Sequence, residues 1–274
     1  MRIRTVDAFT DRPYTGNPAA VVLLEEDSSG FPADERLQRV AAEMNLSETA
    51  FAHPLSDAPE ADWALRWFTP TAEVDLCGHA TLATAHILHS DGVTGTIRFR
   101  SRSGVLTAVT GPGGEITLDF PTAPLTPEAP SAELTAVLGT EPVAAYETGP
   151  LGDLLVELAG EKAVRSVTPD SRGLLRLPYR AVIVTARAGD PAGSGYDYVS
   201  RVFGPAVGIP EDPVTGSAHT ALAPLWSERL GSDSLTGLQC SARTGTVRTT
   251  LRGDRTELTG RAVTVLDAQL RAQF

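Results

Sequence analysis

Apolar and polar residues alternate in short segments along most of the chain, a pattern typical of half-buried β-strands. The segment Met1–Phe9 has this alternation and predicts an N-terminal strand. Clusters of turn-forming residues, such as Pro112-Gly113-Gly114, separate the later segments. The further strands that this pattern predicts are Ala20–Leu24, Ala64–Phe68, Gly95–Arg100, Val105–Thr110, Glu115–Asp119, Leu154–Leu158, Arg180–Ala186, Thr246–Leu251 and Ala262–Leu266.

Three segments predict helices instead. Asp34–Met44 repeats apolar residues at the i, i+3, i+4 and i+7 positions of one helix face. Gly78–His89 and Gly216–Leu230 are rich in alanine and apolar nearly all round, which is typical of helices inside a core. Their first residues are 138 positions apart, close to half of the 274-residue chain. The sequence therefore predicts an α+β fold with two structurally alike lobes, each a strand layer around one central helix, joined by the proline-rich segment 121–130. The alternative is two unrelated α+β halves.

Composition and charge narrow the classes of function. The chain has 34 acidic and 23 basic residues and a formal charge of −11, which argues against a nucleic-acid-binding surface. Lys162 is the only lysine, so a lysine-based Schiff-base enzyme is disfavoured, and Cys77 and Cys240 are too few for a disulfide framework. Neither a signal peptide nor an apolar run of the ~20 residues that cross a membrane is evident. We therefore expect a cytoplasmic protein with no nucleic-acid and no membrane partner.

The two apolar helices begin with residues that suit an anion site. A helix start leaves backbone N–H groups unpaired and carries partial positive charge, and glycine lets a ligand approach the backbone closely. Gly78 opens the first helix, and Gly216 with Ser217 opens the second. Two such starts could hold a small carboxylate-bearing molecule. The alternative is structural: the glycines ease helix entry, and Ser217 caps its helix.

Titratable residues stand beside both helix starts. Cys77 directly precedes the first helix, and Asp212 lies shortly before the second. Glu48 lies in an apolar, strand-like stretch, where burial would raise its carboxyl pKa and make it a candidate acid or base near neutral pH. The alternative for Glu48 is a solvated or salt-bridged side chain.

Familiar metal and cofactor signatures do not occur in the sequence. His79, His86 and His89 have spacing that invites a metal, but all three fall on one apolar helix, where core or helix-end roles are more typical. The chain has no H-E-x-x-H, C-x-x-C, phosphate-loop or dinucleotide fingerprint. The residues therefore point to proton-transfer chemistry without a metal or cofactor.

Four ordered motifs carry a resemblance to a known family. They read Gly16-Asn17-Pro18-Ala19-Ala20-Val21, Asn45-Leu46-Ser47-Glu48-Thr49-Ala50-Phe51, Asp75-Leu76-Cys77-Gly78-His79-Ala80-Thr81 and Asp212-Pro213-Val214-Thr215-Gly216-Ser217-Ala218. Together they span most of the chain and resemble the PhzF-like phenazine-biosynthesis isomerases. The segments Gln239-Cys240-Ser241-Ala242-Arg243 and Gly260-Arg261-Ala262-Val263 resemble the C-terminal signature of that family's Cys-Gly-His subgroup.

The resemblance implies a fold and an assembly. The family has the diaminopimelate-epimerase-like fold, in which two pseudo-symmetric lobes are each a strand barrel around a central helix. The implied lobes are residues 1–120, joined by a last strand at about 262–274, and residues 121–261. The family places its active site in a cleft between the lobes and is commonly homodimeric, so we expect a homodimer.

The resemblance also implies roles for individual residues. Glu48 matches the glutamate that shuttles the proton, and His79 and Asp212 match its polar partners in catalysis. No metal and no cofactor is implied, and the expected substrate is a small organic acid. The positions that the resemblance assigns to substrate binding are Asn17, Cys77, Gly78, Thr215, Gly216 and Ser217.

Other functions remain open from the sequence. Epimerases and proline racemases of this fold use two cysteines, and Cys77 matches the first of them. Thr215 stands at the second position, and its hydroxyl is too weakly acidic to replace a thiolate base. A thiol and a hydroxyl could still support the dehydration of an amino or imino acid. A small-acid-binding protein without turnover is the non-enzymatic alternative.

Overall fold

The computed structural model describes residues 1–25, 30–56 and 58–271. By its internal contacts the chain divides into two units. The first contains Met1–Asp119 and the C-terminal segment from Thr259 onward, and the second is Phe120–Leu258. The sequence placed these boundaries at 120/121 and 261/262. Residues 272–274 of the predicted last segment lie outside the described residues.

The helices and strands follow one another in mixed order. The described helices are α1 (Asp34–Met44), α2 (Gly78–Ser90), α3 (Ala132–Leu138), α4 (Glu161–Ser166), α5 (Ser171–Leu174), α6 (Pro191–Ser194) and α7 (Gly216–Leu230). The described strands are β1 (Arg2–Ala8), β2 (Asn17–Leu23), β3 (Glu48–Pro54), β4 (Trp63–Phe68), β5 (Glu73–Val74), β6 (Thr96–Ser101), β7 (Gly104–Thr110), β8 (Ile116–Pro121), β9 (Thr126–Glu128), β10 (Ala144–Glu147), β11 (Leu154–Glu157), β12 (Val182–Arg187), β13 (Tyr198–Gly204), β14 (Ile209–Asp212), β15 (Ser234–Gln239), β16 (Gly245–Arg252), β17 (Arg255–Gly260) and β18 (Ala262–Gln269).

In the first unit the strands surround α2. They pair in the order β18-β1-β2-β3-β4-β6-β7-β8, and β5 pairs with β4. α2 contacts β1, β2, β3, β7 and β18, so it is covered from several directions. Its residues 79–85, 87 and 88 are buried, which is why its sequence is apolar nearly all round. The central helix that the pattern predicted is therefore confirmed.

In the second unit a sheet is covered on both faces. Its strands pair in the order β9-β10-β11-β12-β13-β15-β16, with β14 on β13. Side chains alternate across β12: Ile183 packs in the core formed with α7, while Val182 and Val184 pack in the core formed with α3, α4 and α5. The two helical layers on one sheet make this unit α+β.

The periodic segments were predicted well, and the irregular ones were not. Each predicted strand overlaps a strand of the structure, and the three predicted helices are α1, α2 and α7. The strand β13 was missed because it is buried on both faces and so lacks alternation. The short helices α3 to α6 carry too few turns for a periodic signal. Within the described ranges, no helix has both the length and the apolar composition needed to cross a membrane.

Candidate active site

The start of α2 brings three titratable side chains together in the first unit. β3 begins at Glu48, and Cys77 is the extended residue that precedes Gly78, the first residue of α2. Nε2 of His79 lies 3.2 Å from Oε2 of Glu48, and Nδ1 lies 3.5 Å from Sγ of Cys77. The imidazole therefore lies between the carboxyl group and the thiol. Glu48, Cys77 and His79 are all buried, with 9%, 7% and 5% of their surface exposed.

Burial fixes the charge of His79. Desolvation lowers its pKa from 6.5 to about 3, so the ring is neutral at pH 7 and carries one N–H. With one N–H on the neutral ring, one nitrogen can donate and the other accept, so His79 can link the Cys77 thiol at Nδ1 and the Glu48 carboxyl group at Nε2. The contact between Nε2 and Oε2 of Glu48 is short enough for a hydrogen bond, but its geometry is not that of a full hydrogen bond.

The same three residues offer ligand atoms for a metal, but their arrangement does not favour one. One atom from each of Glu48, Cys77 and His79 lies within 4.8 Å of the others. Zinc requires about 2.3 Å to a thiolate sulfur and about 2.0 Å to one imidazole nitrogen. His79 directs Nδ1 at the thiol and Nε2 at the carboxyl group, so the closest contacts of the cluster do not converge on one ring nitrogen.

Asn17 supports the strand end that carries Glu48. β2 and β3 run parallel with Ala19 opposite Glu48, so both strands begin at the same edge of the sheet. The hydroxyl of Ser47 donates to Oδ1 of Asn17 at 3.4 Å, and Asn17 is completely buried. The structure therefore gives Asn17 a contact with the residue before Glu48. Its predicted role in substrate binding stays a prediction.

A tightly constrained loop joins β1 to β2 directly before Asn17. The buried carboxylate of Asp7 accepts a hydrogen bond of 2.7 Å from the backbone N–H of Tyr14. Tyr14 and Gly16 both have positive φ angles, +68° and +69°. A Cβ atom at position 16 would overlap the carbonyl oxygen of Ala8. Glycine is therefore required at this position for both conformation and space.

The start of α7 forms a second cluster, within the second unit. Thr215 is the extended residue before Gly216, and its hydroxyl donates to Oδ2 of Asp212 at 2.5 Å. Gln239, at the end of β15, accepts from the N–H of Thr215 at 2.9 Å. Its amide nitrogen donates to the carbonyl oxygen of Asp212 at 2.8 Å and lies 3.2 Å from the Thr215 hydroxyl. Thr215 is the N-cap residue of α7 and Ser217 lies inside the helix, so the alternative in which Ser217 caps the helix is wrong.

A buried histidine lies one turn into α7. Nδ1 of His219 is 2.9 Å from the carbonyl oxygen of Thr215, which can only accept, so Nδ1 carries the proton. His219 is completely buried, and this burial lowers its pKa from 6.5 to about 4. It is therefore neutral at pH 7.

The lowered pKa of His219 predicts that the folded protein loses stability in mild acid. Between pH 6.5 and pH 4 the unfolded chain protonates this residue and the folded chain does not, so the unfolding free energy falls as the pH falls. We expect His219→Gln to reduce the loss between pH 7 and pH 5 by about 2 kcal/mol. Urea unfolding at both pH values measures it. An unchanged loss in this variant would contradict the assignment.

The structure settles several of the remaining sequence alternatives. Glu48 is buried beside His79, which rules out a solvated side chain. His86 contacts Thr264, and His89 contacts the carbonyl oxygen of Val93, so neither contributes to the cluster at the start of α2. The sequence did not reveal that Gln239 hydrogen-bonds to Thr215 and Asp212. The only signal for this residue was its place in the C-terminal signature.

Known proteins with similar sequences cover nearly the whole chain. A family model described as phenazine biosynthesis-like protein, PhzC-PhzF, matches residues 6–268. A Pseudomonas aeruginosa protein named as an isomerase is 46% identical over 273 residues, which cover 99% of this chain and 98% of that protein. The human phenazine biosynthesis-like domain-containing protein is 38% identical over 286 residues and covers 97% of each chain.

Solved structures of similar proteins superimpose on nearly the whole chain. A PhzF family protein from Enterococcus faecalis superimposes with a TM-score of 0.88 at 38% identity, covering 98% of this chain and 99% of that one. A hydroxyproline epimerase from Agrobacterium vitis has a TM-score of 0.61 at 14% identity, covering 98% and 91%, which shows a shared fold alone. By its fold and by these similarities, the protein is an isomerase with the diaminopimelate-epimerase-like fold. Within it, the chain belongs to the PhzC-PhzF family of phenazine biosynthesis-like proteins.

Proposed function

We propose that this protein isomerises a small carboxylate-bearing substrate by moving a proton from one carbon to another, with Glu48 as the acid and base. The observation that carries the proposal is the position of the Glu48 carboxyl group. It is buried and lies 3.2 Å from a neutral imidazole at the start of an apolar helix. A desolvated carboxylate is a stronger base than one in water, and its protonated form can return the same proton.

In the proposed reaction Glu48 removes a proton from one carbon of the substrate, and the electrons left on that carbon shift along its conjugated system. The protonated Glu48 then delivers the proton to a second carbon, which restores the carboxylate. Atoms and charge balance within the substrate and this one side chain. Nε2 of His79 lies 3.2 Å from the same carboxyl group and holds it beside the start of α2 between turnovers.

The substrate carboxylate is the other part of the proposal. The starts of α2 and α7 present glycine and backbone N–H groups, and Cys77 and Thr215 give neither helix a side-chain cap. Such helix starts bind anions through these N–H groups and the helix dipole.

Deuterium incorporation tests this function without knowledge of the product. Candidate carbon acids, beginning with a dihydro-hydroxyanthranilate because its isomerisation is the best-known reaction of the family that this chain resembles, are incubated with the enzyme in deuterated water and followed by NMR. We expect deuterium to enter the substrate or its isomer at the carbons between which the proton moves. Tight binding of these acids with no exchange at any carbon would instead favour the non-catalytic binding protein.

A serine at position 77 separates this proposal from a cysteine-dependent dehydratase or epimerase. The Cys77 thiol lies beside Nδ1 of His79, and a serine hydroxyl can donate to the same nitrogen. We expect Cys77→Ser to lower the exchange rate by less than about tenfold, far less than the loss of a general base. Cys240→Ser is the matched control, because Cys240 is also buried and free.

The opposite outcome has a clear meaning. If Cys77→Ser is folded and as inactive as a variant without the Glu48 carboxyl group, the thiol itself transfers the proton. The dehydratase or epimerase reading then replaces the isomerase proposed above.

A further inference from the structure

We propose that Gln239 is the positioning residue of the second cluster: it sets the direction of the Thr215 hydroxyl and thereby holds Asp212 as a hydrogen-bond acceptor. This inference rests on the proposed function, because it assigns to Asp212 a part in that reaction. Its physical basis is a set of hydrogen bonds around one completely buried amide.

The partners of Gln239 permit one orientation of the amide. The N–H of Thr215 can only donate, so the atom 2.9 Å from it is the amide oxygen. The carbonyl oxygen of Asp212 can only accept, so the atom 2.8 Å from it is the amide nitrogen. An amide flipped by 180° would place two donors together at one end and two acceptors at the other.

This orientation fixes the Thr215 hydroxyl. The second N–H of the Gln239 amide points to Oγ1 of Thr215 at 3.2 Å, so Oγ1 accepts there. The hydroxyl hydrogen is then directed to Oδ2 of Asp212 at 2.5 Å. This hydrogen bond holds Oδ2 of Asp212 as its acceptor.

Packing alone does not require a glutamine at this position. Gln239 is completely buried, and burial of a polar amide is unfavourable unless its hydrogen bonds are made. Its hydrogen bonds all go to Asp212 and Thr215, which lie 27 and 24 residues away in the sequence. Ser241 supports the same segment, because its hydroxyl donates to the carbonyl oxygen of Pro213 at 2.7 Å. The end of β15 thus holds the segment that leads into α7.

The test uses two variants of the full-length chain. Gln239→Met has a similar length and removes every hydrogen bond of the amide. Gln239→Glu keeps an oxygen for the Thr215 N–H but has at most one hydrogen to donate, where the amide donates two, to the Asp212 carbonyl oxygen and to Oγ1 of Thr215. Gln38→Met is the matched control, because Gln38 makes one hydrogen bond, to the carbonyl oxygen of Thr69, in the other unit.

The first measurement is amide hydrogen exchange by NMR, which needs no substrate. In Gln239→Met we expect the Thr215 N–H to exchange about tenfold faster or more, with Leu222 and Leu225 in the middle of α7 unchanged. In Gln239→Glu we expect the Thr215 N–H to remain protected. Unchanged exchange of Thr215 in Gln239→Met, or faster exchange throughout α7, would overturn the positioning role.

The second measurement is deuterium incorporation into the substrate. We expect Gln239→Glu and Thr215→Val each to lower kcat, and the double variant to lose no more than the worse single variant, because both changes act through the same hydrogen bond from the Thr215 hydroxyl to Asp212. Multiplied losses would overturn the proposed route through Thr215. If the unaltered protein exchanges no candidate acid, the proposed function fails, and the amide exchange still decides whether Gln239 holds Thr215.

Discussion

Glu48→Gln is expected to reduce proton exchange by about 10²–10⁴ while leaving the protein folded. The amide has nearly the shape of the carboxyl group and can still contact Nε2 of His79, but it cannot accept a proton from carbon and return it. Deuterium incorporation gives the rate, and thermal unfolding gives the stability. Binding of the substrate acid should persist, because this change leaves the N–H groups at the helix starts intact.

A second glutamate provides the control for this experiment. The side chain of Glu157 is 16% exposed, against 11% for Glu48, and it pairs with Arg229 at 3.1 Å. Glu157→Gln therefore removes a similarly buried negative charge from another part of the fold and should keep the exchange activity. Full activity in folded Glu48→Gln would remove Glu48 from the mechanism.

Gly16→Ala is expected to lower the free energy of unfolding by about 2–5 kcal/mol. The φ angle of +69° costs an L-residue about 1–2 kcal/mol. The new Cβ atom would also overlap the carbonyl oxygen of Ala8 and lie 2.8 Å from Cγ2 of Thr10, and such overpacking typically costs about 1–3 kcal/mol. Because Asn17 follows directly, the remaining folded protein should also lose exchange activity. Denaturant unfolding measures the first effect.

Gly139→Ala separates the two causes of this loss. Gly139 has nearly the same φ angle, +67°, but a Cβ atom there would meet nothing within 4 Å. It should therefore show the conformational cost alone, about 1–2 kcal/mol. Equal losses in the two variants would mean that the loop before Asn17 rearranges to make room for a methyl group.

The elements that position the site were predictable where their residues repeat with a period. α2 and α7 are buried over most of their length, so their all-round apolar sequences predicted central helices. Glu48 could be singled out because a charged residue inside an apolar strand is unusual. Its contact with His79, which lies 31 positions further along, follows from the pairing of β2 with β3 and the packing of α2 on both. No periodic pattern in the sequence encodes such a contact.

The second cluster shows the limit of sequence reasoning more clearly. Asp212 and Thr215 are three residues apart, so their hydrogen bond could have been predicted from the local sequence alone. Gln239 comes from the end of another strand, and nothing in its immediate neighbours indicates that it is completely buried. Its role depends on where β15 ends, and β15 itself, Ser234–Gln239, was missed because its polar residues and Gly237 weaken the strand pattern.

The position of β18 has a consequence for how the protein folds as it is synthesised. β1 lies between β2 and β18, so it is paired on one side with a strand that is synthesised more than 250 residues later. Until Ala262–Gln269 emerges, β1 has an open edge and α2 lacks part of its cover. The second unit, Phe120–Leu258, is complete before that point. We therefore expect the middle of the chain to fold first and a ribosome-stalled chain ending near residue 258 to remain protease-sensitive in its N-terminal 119 residues.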